Sequence, residues 1–169
     1  MNHAAPNSPP ALPFLLPAII AGGLLAGTLD AASAIHNFGW RMFYGIASGL
    51  LGSKANPAAG GGAMVWMLGV ALHFLIAFGS AAAYCVSTRW LSCLRERFLV
   101  GGIMCGIAVF LAMNLVVLPL SAVPFPVGPF TVQSLRLGLL YTTLLVGLPI
   151  SLSLWFFARR SRLAATTAD

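Results

Sequence analysis

Apolar residues run through this chain in four long blocks, interrupted by short polar or proline-bearing segments. A helix needs about 20 mainly apolar residues to cross a bilayer. The blocks predict spans over about residues 13–35, 64–86, 98–118 and 133–157, with a shorter helix over about 38–52. The fold class is therefore all-α: a polytopic membrane protein with four transmembrane helices and one short interfacial or re-entrant helix. Pro13 and Pro17 fall in the opening turn of the first span, where a missing N–H does little harm. In the short helix, Trp40, Phe43, Ala47 and Leu50 repeat at helical spacing, with Arg41, Tyr44 and Ser48 mostly turned away.

The connecting segments follow from composition. Residues 1–11 read as a disordered tail and 53–63 as a flexible linker. Residues 12–158 form one four-helix transmembrane domain, and 159–169 a basic tail. Pro119, Pro124, Pro126 and Pro129 exclude a regular helix over 119–132. Pro149 predicts a kink in the fourth span, with Ser151 or Ser153 re-satisfying the local backbone. Ala32-Ser33-Ala34 has the form of a signal-peptidase site. No Lys or Arg precedes it, and the apolar stretch exceeds the usual signal core, so the segment reads as an uncleaved helix.

Charge sharpens this picture. Only 7% of residues are charged and the mean hydropathy is +0.93, against about 25% charged in soluble domains. The net charge of +6 marks span edges: no aromatic and basic residues interleave along a face, which excludes nucleic acid and leaves the lipid bilayer as partner. Arg89, Arg95 and Arg97 lie between spans two and three, and Arg159, Arg160 and Arg162 follow span four. The opposite side has Arg41, Lys54 and Arg136, so the positive-inside rule predicts both termini in the cytoplasm.

Four polar residues then fall at similar depth. At about 1.5 Å per residue, Asp30 lies roughly 9 Å and Asn114 roughly 6 Å inside the outer ends of their spans. His73 and Tyr141 lie roughly 14 and 12 Å in by the same rise. Gly23, Gly27 and Ala34 share a stripe with Asp30, as do Ser134 and Gly138 with Tyr141. Such small-residue stripes face a bundle interior. An intramembrane carboxylate costs about 2.5–3.5 kcal/mol on insertion scales, so Asp30 needs a partner, a proton or water. Arg41 and Arg136 are candidate ion-pair partners, His73 a proton partner and Asn114 a hydrogen-bond donor. A polar functional site and a structural clamp both remain open readings.

Other chemistries find no footing. No Ser/His/Asp order, HExxH, phosphate loop or carboxylate pair occurs, and His36 and His73 differ in depth too much for bis-His haem. No cofactor and no metal site is expected, and Cys85, Cys93 and Cys105 lack metal spacing and a disulfide pattern. Gly23–Gly27, Gly45–Gly49 and Gly102–Gly106 are GxxxG matches, which open the option of a homo-oligomer or a membrane-complex partner.

The strings GTLDAASAI (27–35), RMFYGIASGLLG (41–52), ALHFLIAFGSAAAY (71–84) and MNLVVLPLSAVP (113–124) resemble small bacterial inner-membrane proteins of the YagU-like group, whose function is unknown. The resemblance covers roughly residues 27–157. It implies a four-helix inner-membrane protein with Asp30, His73, Asn114 and Pro119 at corresponding places, and it assigns no catalytic roles. The expected role is non-enzymatic: a structural, accessory or small transport-related component. A proton-coupled carrier or channel subunit using Asp30 and His73, and an enzyme acting on lipid or quinone at the outer leaflet, are the alternatives.

Overall fold

The computed structural model of the protein describes residues 14–57, 62–91, 94, 96–124 and 131–166. These form five helices and no strand: α1 (Leu15–Phe38), α2 (Met42–Leu51), α3 (Ala63–Ser87), α4 (Phe98–Leu120) and α5 (132–166). The expected N-terminal tail, Cys93, Arg95, Pro126 and Pro129 lie outside the described residues, as does part of the 53–63 linker.

All but α2 are long and apolar enough to cross a membrane. Their surfaces are inverted relative to a water-soluble bundle. Small residues such as Ala18, Ala26 and Ala81 are fully buried, while Leu16, Leu75, Leu115 and Leu152 stay exposed. In α4 only 11% of the most apolar window is buried. Exposed apolar surface on this scale is stable against lipid tails and unstable in water. The chain is a multi-pass membrane protein.

Helix α1 is the centre of the bundle, packed on α3 along one face and α5 along another. Gly23 and Gly27 receive the Phe78 and Phe74 rings of α3, and Gly22 lies against Ile150 of α5. On the far side of α5, α4 closes to backbone contact. A Cβ on Gly147 would overlap the Gly102 carbonyl and the Gly106 backbone. The spatial order is α3–α1–α5–α4, with α3 and α4 packed on α1 and α5 rather than on each other. Two of the GxxxG matches thus serve packing within the chain.

Gly39 and Gly52 end α1 and α2 at φ +73° and +60°, values that glycine adopts without strain. Between them α2 reaches from α3 to the end of α4. Gly69 of α3 touches the Phe43 backbone at one end; at the other, the Ala122 N–H donates to the Gly49 carbonyl at 2.8 Å. Phe43, Ala47 and Ser48 are its buried face, while Trp40 and Leu50 are exposed. Ser48 therefore does not turn away from the apolar stripe: its hydroxyl donates to the Gly45 carbonyl at 2.6 Å, which removes the penalty of burial.

Several boundaries differ from expectation, each for a local reason. Gly52–Ala55 forms a 3₁₀ turn with Ala55 buried, so the start of the linker is structured. Pro119 sits inside the last turn of α4, because Met113–Val117 is wound as π-helix. The same device precedes Pro149, where Thr142–Gly147 is π-helical. The Leu118 N–H donates to the Met113 carbonyl and the Leu148 N–H to the Thr143 carbonyl, five residues back in both helices. The wider turn gives each proline ring room that an α-turn denies it. Ser151 does not repair the local backbone: its hydroxyl reaches across to the Phe98 carbonyl at 2.8 Å. Residues 159–166 continue α5, with Arg159 over the Trp155 ring at 4.8 Å and Arg160 over Phe156 at 5.0 Å.

Candidate functional site

Because α3 and α4 stand apart, the bundle holds a cleft between them. It has two chambers, of about 450 and 540 Å³, which share Ile76, Ser80, Val109, Met113 and Val117 as wall residues. Both volumes fall in the range of small-molecule sites, roughly 300–1,000 Å³.

The first chamber lies at the α2 end and carries the polar groups. Asp30 and Ala34 of α1, His73 and Ala77 of α3, and Thr142 of α5 line it, and Gly45, Ile46 and Gly49 of α2 form its roof. His73 is buried, with Nε2 at 2.9 Å from the Gly27 carbonyl, one turn before Asp30. A carbonyl only accepts, so Nε2 carries a proton and donates it to Gly27. Phe43 and Phe74 meet the imidazole edge-on at 6.0 and 5.5 Å between centroids, fixing its plane. The glycine at 27 makes this possible, since a side chain there would overlap the Phe74 ring.

Asp30 is half-buried and lines the same chamber as His73. No ion pair to it occurs among the described residues. Arg41 and Arg136 are exposed, and neither lines the chamber. The structure thus brings two of the four residues of the sequence-derived cluster into one chamber. Asn114 is turned back on its own helix, its amide donating to the Phe110 carbonyl at 2.8 Å. Tyr141 is 42% exposed and stands outside both chambers. Depth along a helix axis does not specify azimuth, and these two side chains point elsewhere.

The second chamber runs toward the α3–α4 loop and is almost wholly apolar. Gly79, Ala83 and Ser87 of α3 face Met104, Ala108 and Ala112 of α4 across it. A Cβ on Gly79 would meet nothing within 4 Å. The far end is closed by Tyr84, whose hydroxyl lies 2.9 Å from the Leu94 carbonyl and 2.8 Å from Ser151 Oγ. Two hydroxyl protons thus serve three contacts, counting the bond from Ser151 to Phe98. The cleft is stitched at one end, roofed by α2 at the other, and open between.

Both π stretches contribute to the walls: Met113 and Val117 from α4, Thr142 and Val146 from α5. π-Turns recur at functional sites because they re-aim side chains and backbone groups. Sequence reading missed them, although a signal exists. Residues 115–121 read LVVLPLS and 145–151 read LVGLPIS, one heptapeptide pattern placed twice, thirty residues apart. Among the described residues no three His, Cys, Asp or Glu side chains converge as a metal site would need.

Compared with known proteins, the chain matches no family model, no curated protein and no solved structure.

Proposed function

We propose that the protein is a non-enzymatic membrane accessory component that holds one amphiphile taken laterally from the bilayer. Its polar head occupies the Asp30/His73 chamber and its chain lies between α3 and α4. The observation that carries this reading is the cleft itself. Small residues normally draw membrane helices together, yet the small residues of α3 and α4 face each other across a gap. An empty apolar gap forfeits dispersion contacts on both walls, so an acyl chain is the filling that a bilayer supplies.

The membrane is best read as a bacterial inner membrane, in keeping with the YagU-like resemblance of residues 27–157. Six basic residues against three favour the α3–α4 loop and both termini on the cytoplasmic side, with α2 outside. The head chamber then belongs to the outer leaflet.

Native mass spectrometry of protein released from vesicles tests the reading. Wild type should retain one lipid per chain. Gly79→Leu, which projects into the cleft, should lose it, and Leu75→Ala on the outer surface should keep it. Equal retention by wild type and Gly79→Leu would overturn the proposal.

A further inference from the structure

The chemistry of the head chamber narrows what it can take, on the premise that the cleft holds an amphiphile. Five polar side chains line this chamber: Asp30, His73, Ser80, Ser121 and Thr142. Four of them have their donor already engaged with backbone. His73 Nε2 donates to the Gly27 carbonyl at 2.9 Å and Ser80 Oγ to Ile76 at 2.8 Å. Ser121 Oγ donates to Leu118 at 2.7 Å and Thr142 Oγ1 to Gly138 at 2.8 Å. What the three hydroxyls still offer is acceptor lone pairs on their oxygens. Asp30 adds a carboxylate, and no Lys or Arg lines the wall.

A wall of acceptors around one acid is complementary to a head that brings donors and positive charge. A phosphate or carboxylate head would find repulsion from Asp30 and no hydrogen to accept. A quaternary ammonium would satisfy the charge but none of the acceptors. A protonated primary amine satisfies both, having three N–H groups on a single charge. It also gives Asp30 a cationic partner where, among the described residues, no Lys or Arg lines the chamber.

We propose that the cleft selects a bilayer lipid whose head bears a protonated primary amine, with Asp30 as counter-ion and Ser80 and Thr142 as hydrogen-bond acceptors. The chain contacts belong to the second chamber and carry no head-group information, so selection and retention are separable.

The test uses vesicles containing equal amounts of double-chain lipids with identical chains and a primary amine, a quaternary ammonium or a carboxylate head. Native mass spectrometry then reads which lipid the full-length protein keeps. The primary amine should exceed the carboxylate at least tenfold and the quaternary ammonium severalfold. Asp30→Asn should still retain one lipid but lose the amine-over-carboxylate ratio, and Asp30→Glu, which keeps the charge, should preserve it. Retention without head preference in wild type overturns this inference and leaves the amphiphile reading standing. Retention unaffected by Gly79→Leu overturns the amphiphile reading instead. Dodecylamine added from the aqueous side provides a further arm: its retention without any of the double-chain amine would overturn the bilayer as source.

Discussion

Helix α4 presents two faces of small residues, and they behave in opposite ways. Toward α5 it turns Gly102 and Gly106, and the backbones meet so closely that no Cβ fits at Gly106 or Gly147. Toward α3 it turns Ala108 and Ala112, and there the partner helix stands off. Small residues permit close approach without compelling it. The α4–α5 contact closes because the glycines of each helix fall opposite one another. On the α3 side, α2 roofs the gap at one end and the Tyr84–Ser151 bond closes it at the other.

The strongest way to break this contrast is to add bulk on the closed side. Gly147→Leu drives a side chain into the Gly102 carbonyl and the Gly106 backbone. It should destabilise the fold by about 3 kcal/mol or more, since tightly packed sites resist added methylenes. The readout is the thermal midpoint in mild detergent, and an unchanged midpoint would mean that the two helices do not touch as described.

Unstitching the end should do less. Tyr84→Phe removes one hydroxyl from a network that joins α3, α5 and the Leu94 carbonyl. A loss of about 1–2 kcal/mol is expected for each of Tyr84→Phe and Ser151→Ala, because each leaves buried partners unsatisfied. The double variant should lose less than the two losses combined. Strict additivity would separate the residues into independent contacts.

Bulk on the open side should do least. Gly79→Leu enters empty space and should shift stability by no more than about 0.5 kcal/mol. Arg41→Gln and Arg136→Gln should be equally mild, since neither arginine pairs with Asp30. A large loss at either arginine would restore the clamp reading.

The contrast also explains what the sequence could disclose. The four spans were legible because bilayer thickness and helix rise tie apolar length to a crossing, a one-dimensional constraint. Asp30 and His73 were legible as polar residues at shared depth on stripes with small neighbours. Azimuth was not, which is why Asn114, bonded to Phe110, and Tyr141, exposed, stand away from them. Which GxxxG closes and which small-residue face stays open depends on how two helices meet, and spacing within one helix cannot encode that. The π-turns before Pro119 and Pro149 were written in the repeated LVxLP pattern, but a proline in a span was read only as an end or a kink.

The binding cleft proposed on the open face of α4 should show itself in stability. A ligand that binds only the folded state raises stability by about 2.7 kcal/mol at one hundred times its dissociation constant. The direct measurement is therefore the thermal midpoint of delipidated protein in detergent, with and without added primary-amine lipid, for wild type and Gly79→Leu. A dose-dependent rise is expected in wild type and none in Gly79→Leu. An equal rise in both proteins would contradict the proposed cleft.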